Sequence, residues 1–345
     1  MSYRYIGNKT RVLPELLGAV RRICQPGDTI ADLMCGTAAV SAALRGAGYT
    51  VLASDLLTFA SYHARVRLKL ARAPRFRRLD MTYEETLKHL MSLPLRRGLF
   101  VREYSNAGQP RAGTPPRSYL TGANAARVDA IRSKLRSWED QHLLTMNEKA
   151  LLRHDLVLAV NRVANIAGTY GHFRSSWSSS ALRELVLTPS TFEAGRTAQH
   201  RIFQGPAERV ADGLSADLCY LDPPYMKRQY AANYHLVETL ARGDEPEAYG
   251  LSGLRDWWDQ YSDFCSKRRL GDAFAAIFAK MDCGRFLVSY SEDGLFGREA
   301  LMKMFSDFGS VTCYEFTNAR FRSNAGGQGH RVTEYLFDLT VDRMT

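Results

Sequence analysis

Residues 221–230 read LDPPYMKRQY, so an acid, two prolines and a tyrosine close the apolar run ADLCYL. A buried strand must end in a turn, and Pro-Pro supplies one. The flanking acid, the aromatic and the Lys-Arg pair exceed that need, and their types suit one chemistry. Asp222 can accept one N–H of an aromatic amine, and a backbone carbonyl held by Pro223 and Pro224 can accept the other. The two bonds push a poorly nucleophilic nitrogen toward tetrahedral geometry and aim its lone pair at an electrophile. Proline suits this because its fixed φ holds the carbonyl at no further entropic cost. Tyr225 offers an aromatic face on which a base swung out of its helix can stack. Neither a covalent nucleophile nor an activated general base is required. The plainer reading is a strand-ending turn with a core tyrosine.

A second constellation lies upstream. In ADLMCGTAAV, Asp32 ends a short strand and Gly36 makes a tight turn before a helix, which lets a ligand approach backbone N–H groups. The pattern is neither G-x-G-x-x-G nor a P-loop, so a phosphate is not its natural occupant. Asp55 closes the next strand 19 residues after Gly36, where a carboxylate can accept both hydroxyls of a ribose. In this order on adjacent strands, the residues favour an adenosine-type cofactor without phosphates. S-adenosylmethionine fits that description.

The elements that position these groups follow from periodicity. TRVLPELLGAVRRI and TAAVSAALRGAG read as helices, and DTIADLM and TVLASDL as short strands, which makes a βαβ unit and a parallel sheet. Strand character returns at ADLCYLD and RFLVSYS. SVTCYEF and TEYLFDL, joined by RFRSNAGGQGHR, read as a terminal antiparallel hairpin. Between these parts, RVDAIRSKLRSW and NEKALLRHDLVLAVNRVANIAG look helical, and SNAGQPRAGTPPRSYLTGANA is too long for a simple connection. The expected fold is an α/β, doubly wound, Rossmann-like sheet built from residues 1–60 and 201–345. Residues 61–200 form a largely helical basic insertion.

Charge points to the partner. The 345-residue chain carries a formal net charge of +10, yet residues 61–136 alone hold seventeen Lys/Arg against five Asp/Glu. Such a surplus suits a polyanion, although a charge run is more often a solvated helical face. The six cysteines are scattered, with no C-x-x-C and no histidine at zinc spacing, so free thiols in a reducing compartment are expected and no metal site. The opening MSYRYIGNKT lacks the apolar core of a signal peptide, and no segment has the length and apolarity of a membrane span. The cytoplasm is the expected location.

LDPPYMKRQYAANYHLVETLA, with RYIGNKTRVL at the start and DLMCGT between, resembles the adenine-specific DNA methyltransferases of the Dam-like, alpha-ordered class. Within that class it is similar to the branch associated with type IIS restriction–modification systems. NRVANIAGTYGHF, FLVSYSEDGL and VTEYLF also look like stretches of that branch, and the resemblance extends over most of the chain. It implies methylation of the exocyclic amino group of adenine in duplex DNA by base flipping, with S-adenosylmethionine as cofactor. It further implies a target-recognition role for residues 61–200 and a cognate restriction or defence subunit as a candidate partner.

Residue by residue, it implies that Tyr5, Gly7 and Lys9 belong to a segment folded over the cofactor. Asp32 and Gly36 would lie near its methionine part and Asp55 near its ribose. Asp222, Pro223, Pro224 and Tyr225 would hold the adenine. Tyr230, Asn233 and Tyr234 would line the base pocket or grip the displaced strand, and Lys227 and Arg228 begin the loop that meets DNA. Three positions depart from the family pattern. Met34 replaces an aromatic, Ala38 a second glycine, and Pro206 an acid expected to contact the cofactor's adenine, for which Glu208 or Asp212 could substitute.

Other residues read more plainly. His172 looks like a packed loop residue, and Trp257–Trp258 like a staple for an inserted helix. Arg72, Arg75, Arg77 and Arg78 look partly like a solvated helix surface, and as a group they suit phosphate contacts. Arg320 and Arg322 are candidate DNA contacts. Two rival functions stay open at this point: an RNA base methyltransferase, and a catalytically silent DNA-binding subunit.

Overall fold

The computed structural model describes residues 4–7, 9–111, 113–319 and 331–342; Arg320 and Arg322 lie outside them. The chain divides into a sheet unit (7–68, 195–230 and 260–345) and a helical unit (1–6, 69–194 and 231–259). Residues 61–68 thus belong with the sheet, and residues 231–259 with the helices.

The sheet unit is built on seven strands: β1 (Thr29–Asp32), β2 (Thr50–Asp55), β3 (Arg201–Gln204), β4 (Leu218–Leu221), β5 (Arg285–Ser291), β6 (Gly309–Ala319) and β7 (Arg331–Val341). Their order is β3-β2-β1-β4-β5-β7-β6. The first five are mutually parallel, and β7 runs antiparallel to both β5 and β6. This is the expected doubly wound sheet with its terminal hairpin. β3, RIFQ, was not anticipated: four residues, exposed at both ends, give almost no periodic signal.

The sheet buries both faces, which is why β4 reads LCYL without a polar residue. On one face Ile30, Val51, Ala53, Leu218, Tyr220 and Leu336 pack with residues of the helices Leu13–Ile23, Ala39–Gly46 and Thr58–Lys69. On the other, Ala31, Leu52, Cys219, Leu221, Val288 and Phe337 pack with those of the helices Leu270–Lys280 and Arg298–Ser306. Period-2 alternation therefore sends successive residues of each central strand into different cores.

In the helical unit, Thr82 with Glu85 and Thr145 with Glu148 form capping boxes that start the helices Tyr83–Ser92 and Met146–Val163. The basic surplus of this region is less available than composition suggests. Arg117 and Arg132 are buried and paired with Glu103 and with Asp129 and Glu245. Arg72, Arg75, Arg77 and Arg78 are all exposed, but on an irregular segment anchored by buried Phe76 rather than on a helix. Trp257 and Trp258 stack on each other at 4.7 Å, and Trp258 is 69 % exposed, so it does not staple a helix to a core. His172 is exposed, with its Nδ1 3.1 Å from the Ser252 hydroxyl and its ring stacked on Phe173. No helix among the described residues is long and apolar enough to cross a membrane.

One buried acid carries a pH dependence. Asp155 accepts the hydroxyls of Tyr83 and Ser190, both at 2.6 Å, and so pins the irregular segment around Ser190 to the helices. Burial raises its pKa to about 7, outweighing those two hydrogen bonds. The folded state therefore holds a proton that the unfolded chain releases near pH 4, and stability falls as pH rises between those values. The loss is about 1.4 kcal/mol per pH unit and is complete above the folded pKa. Asp155→Asn should keep the neutral hydrogen-bonded form and flatten this part of the slope, read as thermal midpoints between pH 5 and pH 8.

Candidate active site

Strand order reverses between β1 and β4, which lie side by side with Asp32 opposite Tyr220. Ligands of open α/β sheets bind beyond the carboxyl ends of the strands at such a switch point. Asp32, Asp55 and Asp222 all stand there, at or just past the ends of β1, β2 and β4.

The turn after β1 is tied to β2. The N–H of Gly36 donates to one Asp55 oxygen at 2.8 Å, the N–H of Leu57 to the other at 2.9 Å, and the N–H of Cys35 to the Ser54 carbonyl at 2.9 Å. Gly36 has φ +52°, the left-handed region that glycine enters without penalty. Ala38 adopts φ +56° just before the helix Ala39–Gly46, so alanine takes the backbone shape of the glycine it replaces. Left-handed backbone costs a non-glycine residue roughly 1–2 kcal/mol. Glycine would lose a buried methyl, about 0.8 kcal/mol, and gain unfolded-state freedom worth roughly 0.5–1 kcal/mol. Ala38→Gly should therefore be close to neutral in a thermal melt.

Asp32 is wholly buried. Ser41 donates to its Oδ2 at 2.5 Å, while Oδ1 has no partner. Burial, with help from Asp222 and Asp55, lifts its pKa to about 7 against the Ser41 bond. A buried carboxylate oxygen left unsatisfied is costly, and a cationic or N–H-bearing ligand would satisfy it. Buried Ser54 on β2 likewise has an unpartnered hydroxyl. These donors and acceptors fit S-adenosylmethionine, whose charged amine and sulfonium suit the acid and whose ribose suits the neighbouring polar groups.

On the other side of the switch point, Asp222 follows β4 directly. Its Oδ1 lies 3.2 Å from the Lys9 ammonium, which also meets Glu334 Oε2 on β7 at 3.0 Å. Lys9 is 6 % exposed and each carboxylate 16 %. Burial opposes the Lys9 charge, but the two acids outweigh it and hold its pKa well above the ordinary value. Burial raises Asp222 to about 6, Lys9 pulling it down and Glu334 pushing it up. Tyr225 packs edge-on against Tyr290 at 6.0 Å, and its carbonyl accepts the N–H of Leu295 at 2.8 Å. The Asp-Pro-Pro-Tyr loop is therefore braced from β7 and from the segment after β5. Lys9, placed over the cofactor by resemblance, spends its charge on these acids. Glu334 was not singled out from sequence; its one signal is an acid amid the apolar residues of VTEYLF.

The chain beyond the motif turns outward. Met226, Lys227 and Arg228 are exposed, and the next residue, Gln229, is buried and exchanges hydrogen bonds with the backbone of Ser262 at 2.8 and 3.0 Å. Tyr230 is half-buried, and its hydroxyl lies 3.5 Å from where a Cβ on Gly7 would stand. Gly7 has φ +76°, which explains a glycine there. In the helical unit, Asn233 and Tyr234 are buried. Tyr234 stacks on Tyr5 at 4.8 Å and its hydroxyl accepts the N–H of Ile6 at 2.7 Å, while the Asn233 carbonyl accepts the N–H of Tyr170 at 2.8 Å. Tyr5 and Tyr234 thus pack against each other and not at the surface. Pro206 stands before the short helix Ala207–Val210. Of the two acids nearby, Glu208 is half-buried and raised by burial, whereas Asp212 is exposed and faces Lys280 at 3.9 Å.

Residues 5–281 match the family described as D12 class N6 adenine-specific DNA methyltransferase. The chain belongs to this family. It is 30 % identical to the modification methylase StsI of Streptococcus sanguinis over 97 % of its own length and 51 % of the relative's. Against the type II methyltransferase M.FokI of Planomicrobium okeanokoites the identity is 30 %, over 98 % and 53 %. Against the type II methyltransferase M.NlaIII of Neisseria lactamica it is 31 %, over 74 % of this chain and 75 % of that one. The chain thus spans about half the length of the first two relatives. The D12 match covers the Gly36–Asp55 pair and the Asp222–Tyr225 loop, but not Glu334.

Proposed function

We propose that this D12 family member transfers a methyl group from S-adenosylmethionine to the exocyclic amino group of adenine in DNA, within a restriction–modification system. The observation that carries the reading is the Asp-Pro-Pro-Tyr loop at the end of β4, next to β1 and the glycine turn that follows it, at the switch point between β1 and β4. Asp32, Gly36, Ser54 and Asp55 would hold the cofactor, which when bound supplies an electrophilic methyl on a sulfonium. Asp222 accepts one N–H of the amine, through the oxygen not committed to Lys9. The Pro223 carbonyl accepts the other. Tyr225 stacks on the base. With the cofactor bound, its sulfonium would supply the methyl to the amine lone pair, the C–S electrons staying on sulfur, and the methylated nitrogen would release a proton to solvent.

Duplex adenine cannot present its amine in this geometry while paired, so the reading includes extrusion of the base. Lys227, Arg228 and Tyr230 are the surface that would meet the strand. Exposed Arg72, Arg75, Arg77 and Arg78 supply backbone charge, and residues 61–200 supply recognition of the target. A cytoplasmic location and a cognate restriction subunit accompany the proposal.

The test is label transfer from S-adenosylmethionine, with genomic DNA and structured RNA in competition. Label recovered as N6-methyladenine in the DNA supports the reading. Label in the RNA favours the rival base methyltransferase, and DNA binding with no label in either favours the silent subunit.

A further inference from the structure

We infer that Glu334 is a positioning residue for methyl transfer: it holds the far side of the Lys9 ammonium, fixes Lys9 on one oxygen of Asp222, and leaves the cluster with one net negative charge. The inference rests on the function proposed above and adds a residue to it that lies outside the family match.

The geometry is specific. Lys9 is nearly buried between two carboxylates, at 3.2 Å from Asp222 and 3.0 Å from Glu334. Glu334 sits on β7 opposite Ser291 of β5 and Phe316 of β6, so its position is set by the hydrogen-bonded register of two neighbouring strands. A lysine chain has four rotatable carbons and three equivalent donors, so a single partner would leave its head free to slide between the Asp222 oxygens. Glu334 removes that freedom by pulling from the opposite side. One oxygen of Asp222 is then committed, and the other is left for the amine.

Charge gives the second part. Lys9 alone would neutralise Asp222. With Glu334 the three groups sum to minus one, and during transfer positive charge moves from sulfur onto nitrogen, beside Asp222. A fixed negative charge placed where positive charge develops lowers the barrier, more so where water is excluded. The other titratable groups facing this cluster are Asp32 from β1, Tyr220 from β4 and Tyr225 from the loop, with Asp293 beyond Tyr225. Tyr220 and Tyr225 are held neutral by burial, and Glu334 is the acid that shares the Lys9 ammonium with Asp222 among the described residues.

The experiment compares wild type, Glu334→Gln and Glu334→Asp in two readouts. In methyl transfer, wild type should lose rate as pH falls through about 6. Glu334→Gln should lower the plateau kcat about tenfold, leave both KM values within about twofold, and move the acid limb toward the ordinary carboxylate value. Glu334→Asp, which keeps the charge on a shorter arm, should recover part of the rate. In thermal melts, the fall in stability between pH 4 and pH 6 that Asp222 contributes should shrink in Glu334→Gln, which needs no substrate to observe. A uniform drop in thermal midpoint, with kcat and both pH dependences unchanged, would reduce Glu334 to a structural ion pair and overturn the inference. If wild type transfers no methyl group, the proposed function fails by itself, and the melts alone decide whether Glu334 governs the Asp222 proton.

Discussion

Asp222→Ala should abolish methyl transfer, by roughly a thousandfold or more, while cofactor binding survives. The acid does two things that no neighbour can replace. In the proposed reaction it accepts an N–H and so sets the angle of the nitrogen lone pair, and it places negative charge beside the atom that would become positive. Misplacement of a reacting atom by about 1 Å can cost on the order of a hundredfold, and loss of the electrostatic partner adds a comparable factor. Structure should persist, because the substitution leaves Lys9 paired with Glu334 at 3.0 Å. Affinity for S-adenosylmethionine should persist too, since Asp32, Gly36 and Asp55 belong to other strands. Single-turnover label transfer alongside calorimetric titration of the cofactor separates the two effects. Substantial activity in this variant would sink the assigned chemistry.

The second large effect is expected at Lys9→Met. Methionine fills similar volume but leaves Asp222 and Glu334 as two uncompensated, nearly buried carboxylates. Removing one member of a buried ionic cluster typically costs about 3–5 kcal/mol, because the remaining charge stays desolvated. The catalytic consequence has a definite sign. Lys9 is what restrains the Asp222 pKa against burial and Glu334. Without it the acid should protonate at higher pH, and a protonated Asp222 cannot accept the amine N–H through a full carboxylate. The acid limb of the rate profile should therefore move above 6, with activity at pH 7 depressed more than tenfold and partly restored at pH 8.5. An unshifted limb would mean that Lys9 does not govern Asp222.

The Asp-Pro-Pro-Tyr loop was legible because its chemistry is contiguous: four adjacent residues carry an acceptor, a stiff carbonyl and an aromatic face. Gly36 in its turn and Asp55 at its strand end were legible for the same local reason. Lys9 stands out only through the family resemblance, and nothing local marks its place between two acids. Glu334 carried no role at all, being one acid in an otherwise ordinary strand. Ser41 and Ser54 were silent because a serine after a turn or in a strand has no distinguishing spacing. Charge counting also overstated the available basic surface, since periodicity does not say that Arg117 and Arg132 are buried against acids from other segments.

Sequence by itself determined the central strands with the helices between them, the terminal hairpin and the glycine turn. All of these depend on residues within a few positions of each other, where propensity, turn chemistry and periodicity act directly. Tertiary structure decided which of those groups meet. It brought β1 beside β4, so that Asp32 and Asp222 share one edge, and set the register of β7, so that Glu334 reaches Lys9 across 325 residues of chain. It also placed residues 231–259 with the helices, and with them Tyr234 against Tyr5. Strand order and register are selected by burial of two whole sheet faces, a sum over many side chains that no short stretch records.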